Sequence, residues 1–462
     1  MKKACVITYG CRQNISDSEK IEAALEQQGY SIIEETAEAD LVIFNTCAVR
    51  EGAEERVYGN IGALKALKKT QPGMKIAVCG CMAARSEVQE KIKKSFPYVN
   101  LVFGTNDIHN LQELLEKAEK KRTFKANDNE QVHELESRRQ KGGVIANVPI
   151  MYGCNNFCSY CIVPHVRGRE RSRAAADILN EIRNLAEEGY KEVLLLGQNV
   201  NSYKETTPSP SAPPLRRMGI DFPELLCKVA EVDGIERIRF ISSHPKDFSD
   251  KLIEVMASNN KICKQLHLPF QAGSNKVLAD MNRGYTREHY ISLIEKARAA
   301  MPNLAITSDV IVGFPTETQE DFEQSLELIK FLKLDSLFSF IYSKRSGTPA
   351  AEMDFALSQE QIKANFERLL AVQEKIASEI NAKLLGTYQE VLVEGKSKNN
   401  ENMWQGRTDG GKIVNFAAGD FVGDDGNCPA KQRADCHPPL QGSIVQVYIE
   451  STSPWALSGI IK

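Results

Sequence analysis

No apolar run in this 462-residue chain approaches the length of a bilayer span, and Met1-Lys2-Lys3 leads straight into a strand-like segment from Ala4 to Thr8. Neither a signal peptide nor a membrane span is expected, so the default location is cytoplasmic. An excess of one charge is missing too: 58 Lys and Arg face 61 Asp and Glu. A protein that held nucleic acid mainly by neutralising phosphate would be basic, so any RNA contact must come from local patches. What the chain does have is cysteine, twelve in all. In a reducing compartment these point to metal and redox use over disulfides. The length implies two to four domains.

The most informative stretch is Gly153-Cys154-Asn155-Asn156-Phe157-Cys158-Ser159-Tyr160-Cys161. Three cysteines separated by three and then two residues fit on one tight loop, where their sulfurs converge on three corners of an iron–sulfur cube. Three protein thiolates leave one iron open to a small chelating molecule. The competing reading is a zinc knuckle, but such sites pair two C-x-x-C arms or add histidines, and only His165 stands near as a fourth ligand.

Strand-like and helix-like segments alternate over residues 1 to about 120. Apolar runs at Ala4 to Thr8, Ala39 to Thr46, Lys75 to Cys79 and Leu101 to Gly104 are separated by helical spacing at Ser16 to Gln28, Ala53 to Lys69 and Ser86 to Phe96. This reads as a parallel sheet covered on both sides. Cys11, Cys47 and Cys81 each follow a strand, at the edge where open sheets bind ligands, so they form a second candidate triad; coincidental loop cysteines are the alternative. Cys5 and Cys79 lie inside strands and read as small buried hydrophobes. Asn14, Asn45 and Arg50 flank the triad, able to bond sulfur or substrate, while the two asparagines are also ordinary turn formers or caps.

Lys117 to Lys141 is charged, with a helix-like patch around Val132 and Leu135, and reads as a linker. Residues 144 to about 370 alternate again, with about six βα units and polar residues at strand ends, implying a TIM-like barrel, complete or partial. Thr206 to Pro214 reads as an exposed insert. Arg167, Arg169, Arg171 and Arg173 crowd into seven residues beside the cysteine loop, suited to phosphate and bases, or else a solvated helix start paired with Glu170 and Glu181. Gln359 to Leu384 reads as a long packing helix. Beyond Thr387, short strands and Gly-rich turns predict a small OB-like barrel. Its seven Lys or Arg against nine Asp or Glu give RNA contact no electrostatic support. Cys428 and Cys436, with His437, read as incidental rather than a zinc pair.

The spacing of Cys154, Cys158 and Cys161 resembles that of the radical S-adenosylmethionine enzymes. With Tyr9-Gly10-Cys11, Asn14, Asn45-Thr46-Cys47 and Gly80-Cys81, the chain resembles the methylthiotransferases from end to end. Asn155-Asn156-Phe157 and Pro164-His165-Val166-Arg167 through Arg173 look closest to the branch that acts on prenylated adenosine in tRNA. Arg12-Gln13 departs from the Gln-Met more usual there.

The resemblance implies an α/β protein in three parts: an N-terminal parallel-sheet α/β domain (1–122), a linker (123–143), a partial TIM-like (β/α)6 radical barrel with its packing helix (144–383), and a C-terminal all-β TRAM barrel (384–462). It implies two 4Fe-4S clusters, on Cys11, Cys47 and Cys81 and on Cys154, Cys158 and Cys161. S-adenosylmethionine is expected against Tyr160, Gln198, Ser242 and Gln271, and RNA against Arg167, Arg169, Arg171 and Arg173. The implied reaction turns the C–H at carbon 2 of N6-dimethylallyladenosine beside the anticodon into C–S–CH3. One S-adenosylmethionine methylates a sulfur carried by the N-terminal cluster, and another yields the radical. An electron donor such as flavodoxin or ferredoxin and a sulfur donor are required, and monomer is the default. Related targets, a ribosomal-protein aspartate or threonylcarbamoyl-adenosine, keep the chemistry; a metal-stabilised RNA-binding module would abolish it.

Overall fold

Short apolar runs between amphipathic helices form one six-stranded parallel sheet in the first quarter of the chain. Its elements are β1 (Lys2–Tyr9), α1 (Arg12–Gln27), β2 (Tyr30–Ile32), β3 (Leu41–Thr46), α2 (Glu51–Thr70), β4 (Lys75–Gly80), α3 (Ser86–Ser95), β5 (Leu101–Phe103), α4 (Leu111–Lys120) and β6 (Thr123–Lys125). The order is β2-β1-β3-β4-β5-β6. Strand alternation sends Val42, Phe44, Ile76 and Val78 to a core with α2 and α3, and Ile43, Ala77 and Leu101 to a core with α1 and α4. Winding reverses between β1 and β3, which opens a crevice at their carboxyl ends.

The computed structural model of the chain describes residues 1–49, 51–125, 133–139, 142–205, 219–417 and 440–461. Arg50, Val132, the insert at 206–214, Cys428, Cys436 and His437 lie outside the described residues. Two expectations need correction. Strand β6 occupies the start of the stretch read as linker, and Leu135 is not helical but packs against the α1 and α4 core. Arg139 in that stretch straps two units together, bonding Glu19 of α1 at 2.6 Å and Glu181 of the following unit.

The second unit comprises β7 (Ile145–Pro149), β8 (Met151–Tyr152), α5 (Val163–Arg167), β9 (Arg171–Ser172), α6 (Ala175–Glu187), β10 (Glu192–Leu196), α7 (Phe222–Ala230), β11 (Arg237–Phe240), α8 (Asp250–Ser258), β12 (Gln265–His267), α9 (Asn275–Asp280), α10 (Arg287–Ala300), β13 (Ala305–Val312), α11 (Gln319–Leu332), β14 (Ser336–Ile341) and α12 (Gln359–Ala382). Two parallel sheets, β11-β10-β7 and β12-β13-β14, meet at a bridge between Ile238 and Ile262. No pairing joins β7 to β14 among the described residues, so six strands make a partial barrel. Outward Val193, Leu195, Ile238, Ile306 and Val310 bury against the helices.

Strands β15 (Tyr388–Ser397), β16 (Asn400–Thr408), β17 (Ile413–Ala417), β18 (Ile444–Thr452) and β19 (Leu457–Ile461) close a small barrel in the order β15-β16-β17-β19-β18. Its β16–β17 turn plugs the amino-terminal end of the larger barrel. There Arg239 donates to the carbonyls of Thr408 and Asp409, both at 2.7 Å, and Lys412 pairs with Asp335 at 2.7 Å.

Candidate metal centre

Cys11, Cys47 and Cys81 follow β1, β3 and β4, on either side of the crevice where the winding reverses. Gly80 has φ +95°, and a Cβ there would strike the Thr46 carbonyl, so only glycine lets β4 hug β3 and bring Cys81 to Cys47. Asn14 Oδ1 accepts from Cys11 Sγ at 3.3 Å, as its position beside the triad allows, and the two asparagines also lock the site together. Asn14 Nδ2 donates to Asn45 Oδ1 at 3.2 Å, and Asn45 Nδ2 donates to the Asn14 carbonyl at 2.8 Å, fixing the first turn of α1 to the end of β3. Burial pushes the Cys81 thiol up to about 12; Arg167 opposes the shift, and Cys47 and Cys11 add to it. A bound iron would supply the positive charge that favours the Cys81 thiolate.

The second triad lies on a loop bracketed by β8 and β9, paired as Met151 with Ser172 and Tyr152 with Arg171. Gly153 opens the loop at φ +73°, where a side chain would run into the Arg169 carbonyl. Burial raises Cys154 to about 11 and Cys161 to about 12, with Cys158 adding to both. The Asn156 N–H donates to Cys154 Sγ at 3.3 Å, and Arg283 Nη1 reaches Cys158 Sγ and the Tyr160 hydroxyl, each at 3.4 Å. Such N–H···S bonds stabilise thiolates. Among the described residues no three His, Cys, Asp or Glu are placed to share one metal ion. Three cysteines on one loop suit a cube, in which each thiolate would take its own iron.

The two triads share a wall. Ala48, next to Cys47, forms one buried cluster with Cys81, Val166 and Ile162, next to Cys161. Lys20 donates to the Tyr152 hydroxyl at 2.6 Å, and Arg345 donates to the Val49 carbonyl at 2.8 Å, closing the same seam.

The arginine run divides. Arg167 and Arg173 are each 4 % exposed. Arg167 binds Asp17 at 2.6 Å, and Arg173 binds Glu181 at 2.7 Å and Glu134 at 2.5 Å. Arg171 donates to the Arg167 carbonyl at 2.8 Å and to Asn106 at 3.4 Å. The expectation that Arg167 and Arg173 meet RNA is therefore corrected, because a buried guanidinium committed to carboxylates is not offered to phosphate. Arg169 alone is exposed, stacked over exposed Phe157 at 4.4 Å.

At the strand ends, Ser242 and Gln271 hold φ +70° and +67°, strained for side chains of any size. At the same strand ends, after β10 and β11, lie buried polar atoms without partners among the described residues: Gln198 Oε1, Asn199 Oδ1, Ser243 Oγ and His244 Nε2. Burial, with Arg283 and Lys246 nearby, holds His244 down to about 2. Its Nδ1 accepts from the Lys246 N–H at 3.2 Å, so the neutral ring carries its proton on the free Nε2. Orphaned donors and acceptors at the barrel's carboxyl edge fit a polar cofactor such as S-adenosylmethionine. Tyr160 packs with Phe314, Tyr342 and Ile311 beside them. Arg283 was invisible to sequence reasoning. It stands in the turn Asn282-Arg283-Gly284, which shows no periodicity, and its role arises from a cysteine 125 positions away.

Comparison with known proteins agrees with this geometry. Residues 148–329 match the Radical SAM superfamily, residues 382–462 the TRAM domain, and residues 3–104 the uncharacterized protein family UPF0004. The radical S-adenosylmethionine methyltransferase TsrM from Kitasatospora setae shares the fold at a TM-score of 0.54 and 14 % identity, over 84 % of this chain and 77 % of that one. A tRNA-2-methylthio-N(6)-dimethylallyladenosine synthase of Acetivibrio thermocellus is 46 % identical over 100 % of this chain and 91 % of its own length. Its counterpart in Caldicellulosiruptor saccharolyticus is 50 % identical over 90 % and 87 %. With a paired set of cysteine triads and this similarity along its whole length, the chain belongs to the tRNA-2-methylthio-N(6)-dimethylallyladenosine synthase family of radical S-adenosylmethionine enzymes.

Proposed function

We propose that this chain methylthiolates carbon 2 of N6-dimethylallyladenosine next to the anticodon of tRNA, in the cytoplasm, using two S-adenosylmethionine molecules. The observation that carries the reading is the buried cluster of Ala48, Cys81, Ile162 and Val166, which holds both cysteine loops against one seam. A carbon–hydrogen bond of an adenine ring offers no acid or base a handle, so a radical route is required. Membership of the radical S-adenosylmethionine superfamily implies one 4Fe-4S cluster and that cofactor. A second cluster, on Cys11, Cys47 and Cys81, is part of this proposal. When bound, these groups supply the electron, the carbon radical and the methylated sulfur.

The protein's part is positional. Residues 1–125 hold one triad and 144–383 the other, and strands β15 to β19 form the TRAM barrel. Tyr160, Gln198, Ser242 and Gln271 line the cofactor space, with the neutral His244 Nε2–H as a further hydrogen-bond donor. Arg169 over Phe157 offers the mouth of the seam a flat cationic surface for a nucleobase. A flavodoxin- or ferredoxin-like donor supplies electrons, and a separate donor supplies sulfur.

Two measurements test the reading. Anaerobic reconstitution should load about eight irons per chain, the sum of two cubes, and release 5′-deoxyadenosine from S-adenosylmethionine. tRNA nucleosides from a deletion strain should lack the 2-methylthio group on prenylated adenosine by mass spectrometry. Its retention would overturn the assignment.

A further inference from the structure

We propose that Arg167, contributed by the radical barrel, is the positioning residue that completes the shell of the other domain's cysteine triad and raises the reduction potential of the cluster held there. The inference rests on the reading that Cys11, Cys47 and Cys81 carry a cluster.

The argument begins with a helix of barely more than one turn. Pro164 sits near the start of α5, and Gly168 at φ +77° ends it, so Arg167 is held at the last helical position. From there the side chain leaves its own domain. Nε donates to Cys81 Sγ at 3.0 Å, and Nη2 donates to Asp17 Oδ2 on α1 at 2.6 Å. Both residues of the ion pair are about 95 % buried, which is costly unless each donor and acceptor is used. The planar fork meets the carboxylate with one edge and the sulfur with another; a lysine ammonium, a single point on a flexible stem, cannot hold both at these distances.

Reduction adds negative charge to an iron–sulfur cluster. A fixed cation and an N–H···S bond favour that state, and so raise the potential. The barrel triad has a matching arrangement, Arg283 on Cys158 Sγ at 3.4 Å, but Arg283 belongs to the same domain as its cysteine. Arg167 does not. The N-terminal cluster therefore reaches its working potential only when the barrel is docked, which ties redox competence to the closed seam.

The test uses the full-length chain with Cys154, Cys158 and Cys161 changed to Ala, so that only the N-terminal triad reports. After anaerobic reconstitution, iron content and an EPR-monitored redox titration are compared for this parent, Arg167→Gln and Arg167→Lys. The parent should bind about four irons. The midpoint should fall in Arg167→Gln and fall less in Arg167→Lys, which keeps the charge. Loss of iron in Arg167→Gln with retention in Arg167→Lys would equally support a shell that needs the cation. Full iron with unchanged midpoints in both variants overturns the inference. A parent that binds no iron would instead sink the reading of a second cluster.

Discussion

Glu317 lies at 1 % exposure behind the cofactor space, where one carboxylate oxygen accepts the Gly313 N–H at 2.6 Å. Burial pushes its pKa from 4.5 up to about 7; the Gly313 bond lowers it and Asp321 raises it. A carboxyl whose folded pKa is raised binds its proton more tightly when folded. Its contribution is therefore complete below the unfolded value near 4.5 and is lost as pH climbs through about 7. The full swing is on the order of 3 kcal/mol. Glu317→Gln keeps an acceptor for Gly313 and removes the titration. Calorimetry at pH 5 and pH 8 should show the variant gaining on wild type at pH 8; equal pH dependence of the two melts would refute the assignment. The same scale marks the limit of reading charge from sequence. The Arg173–Glu181 pair, eight positions apart, was legible as a partner of the run, but its burial was not, because Asp17 and Glu134, the other carboxylates that hold Arg167 and Arg173, lie 150 and 39 positions away. Cysteine is different, since its spacing encodes the ligand geometry locally.

Among the elements, long apolar runs were legible. The expectations for β3, β4 and β5 fall within two residues of the structure, because burial on both faces leaves a continuous signal. Strands β2, β6 and β16 escaped notice. Tyr30–Ile32 and Thr123–Lys125 are three residues each and half-exposed, and Asn400–Thr408 is largely polar. The plug made by the β16–β17 turn was equally invisible, being assembled from residues far apart. Arg239 anchors it, bonding Glu192 at 2.8 Å with both side chains buried. Arg239→Met leaves the Glu192 carboxylate buried and unpaired, expected to cost about 3–5 kcal/mol. Thermal melts should fall, and limited proteolysis should open the segment between α12 and β15. Arg239→Met combined with Glu192→Met should recover most of the melting temperature, since the stranded charge is gone. A single variant as stable as wild type would show that the plug is held by other contacts.

At the scale of the whole molecule, chemistry at either triad is useful only if the seam between the two larger units stays shut. Among the described residues the closing contacts are of different kinds, including the Arg167–Asp17 pair, the Lys20–Tyr152 and Arg345–Val49 bonds, the Arg139 strap and one small apolar cluster. Val166 is 1 % exposed within that cluster, facing Ala48 and Cys81 across the seam. Val166→Asn puts a polar amide among apolar neighbours, a penalty of about 1–3 kcal/mol that falls on the docked arrangement. Neither triad loses a ligand, and the cofactor space at the barrel's carboxyl edge is untouched. Release of 5′-deoxyadenosine in the absence of RNA should therefore stay within about twofold of wild type, while methylthiolated product falls about tenfold, the equivalent of 1.4 kcal/mol. A single-turnover assay that follows both products separates the two effects. If they decline together, the substitution acts on the barrel's own first step, and the separation of radical formation from methylthio transfer is refuted.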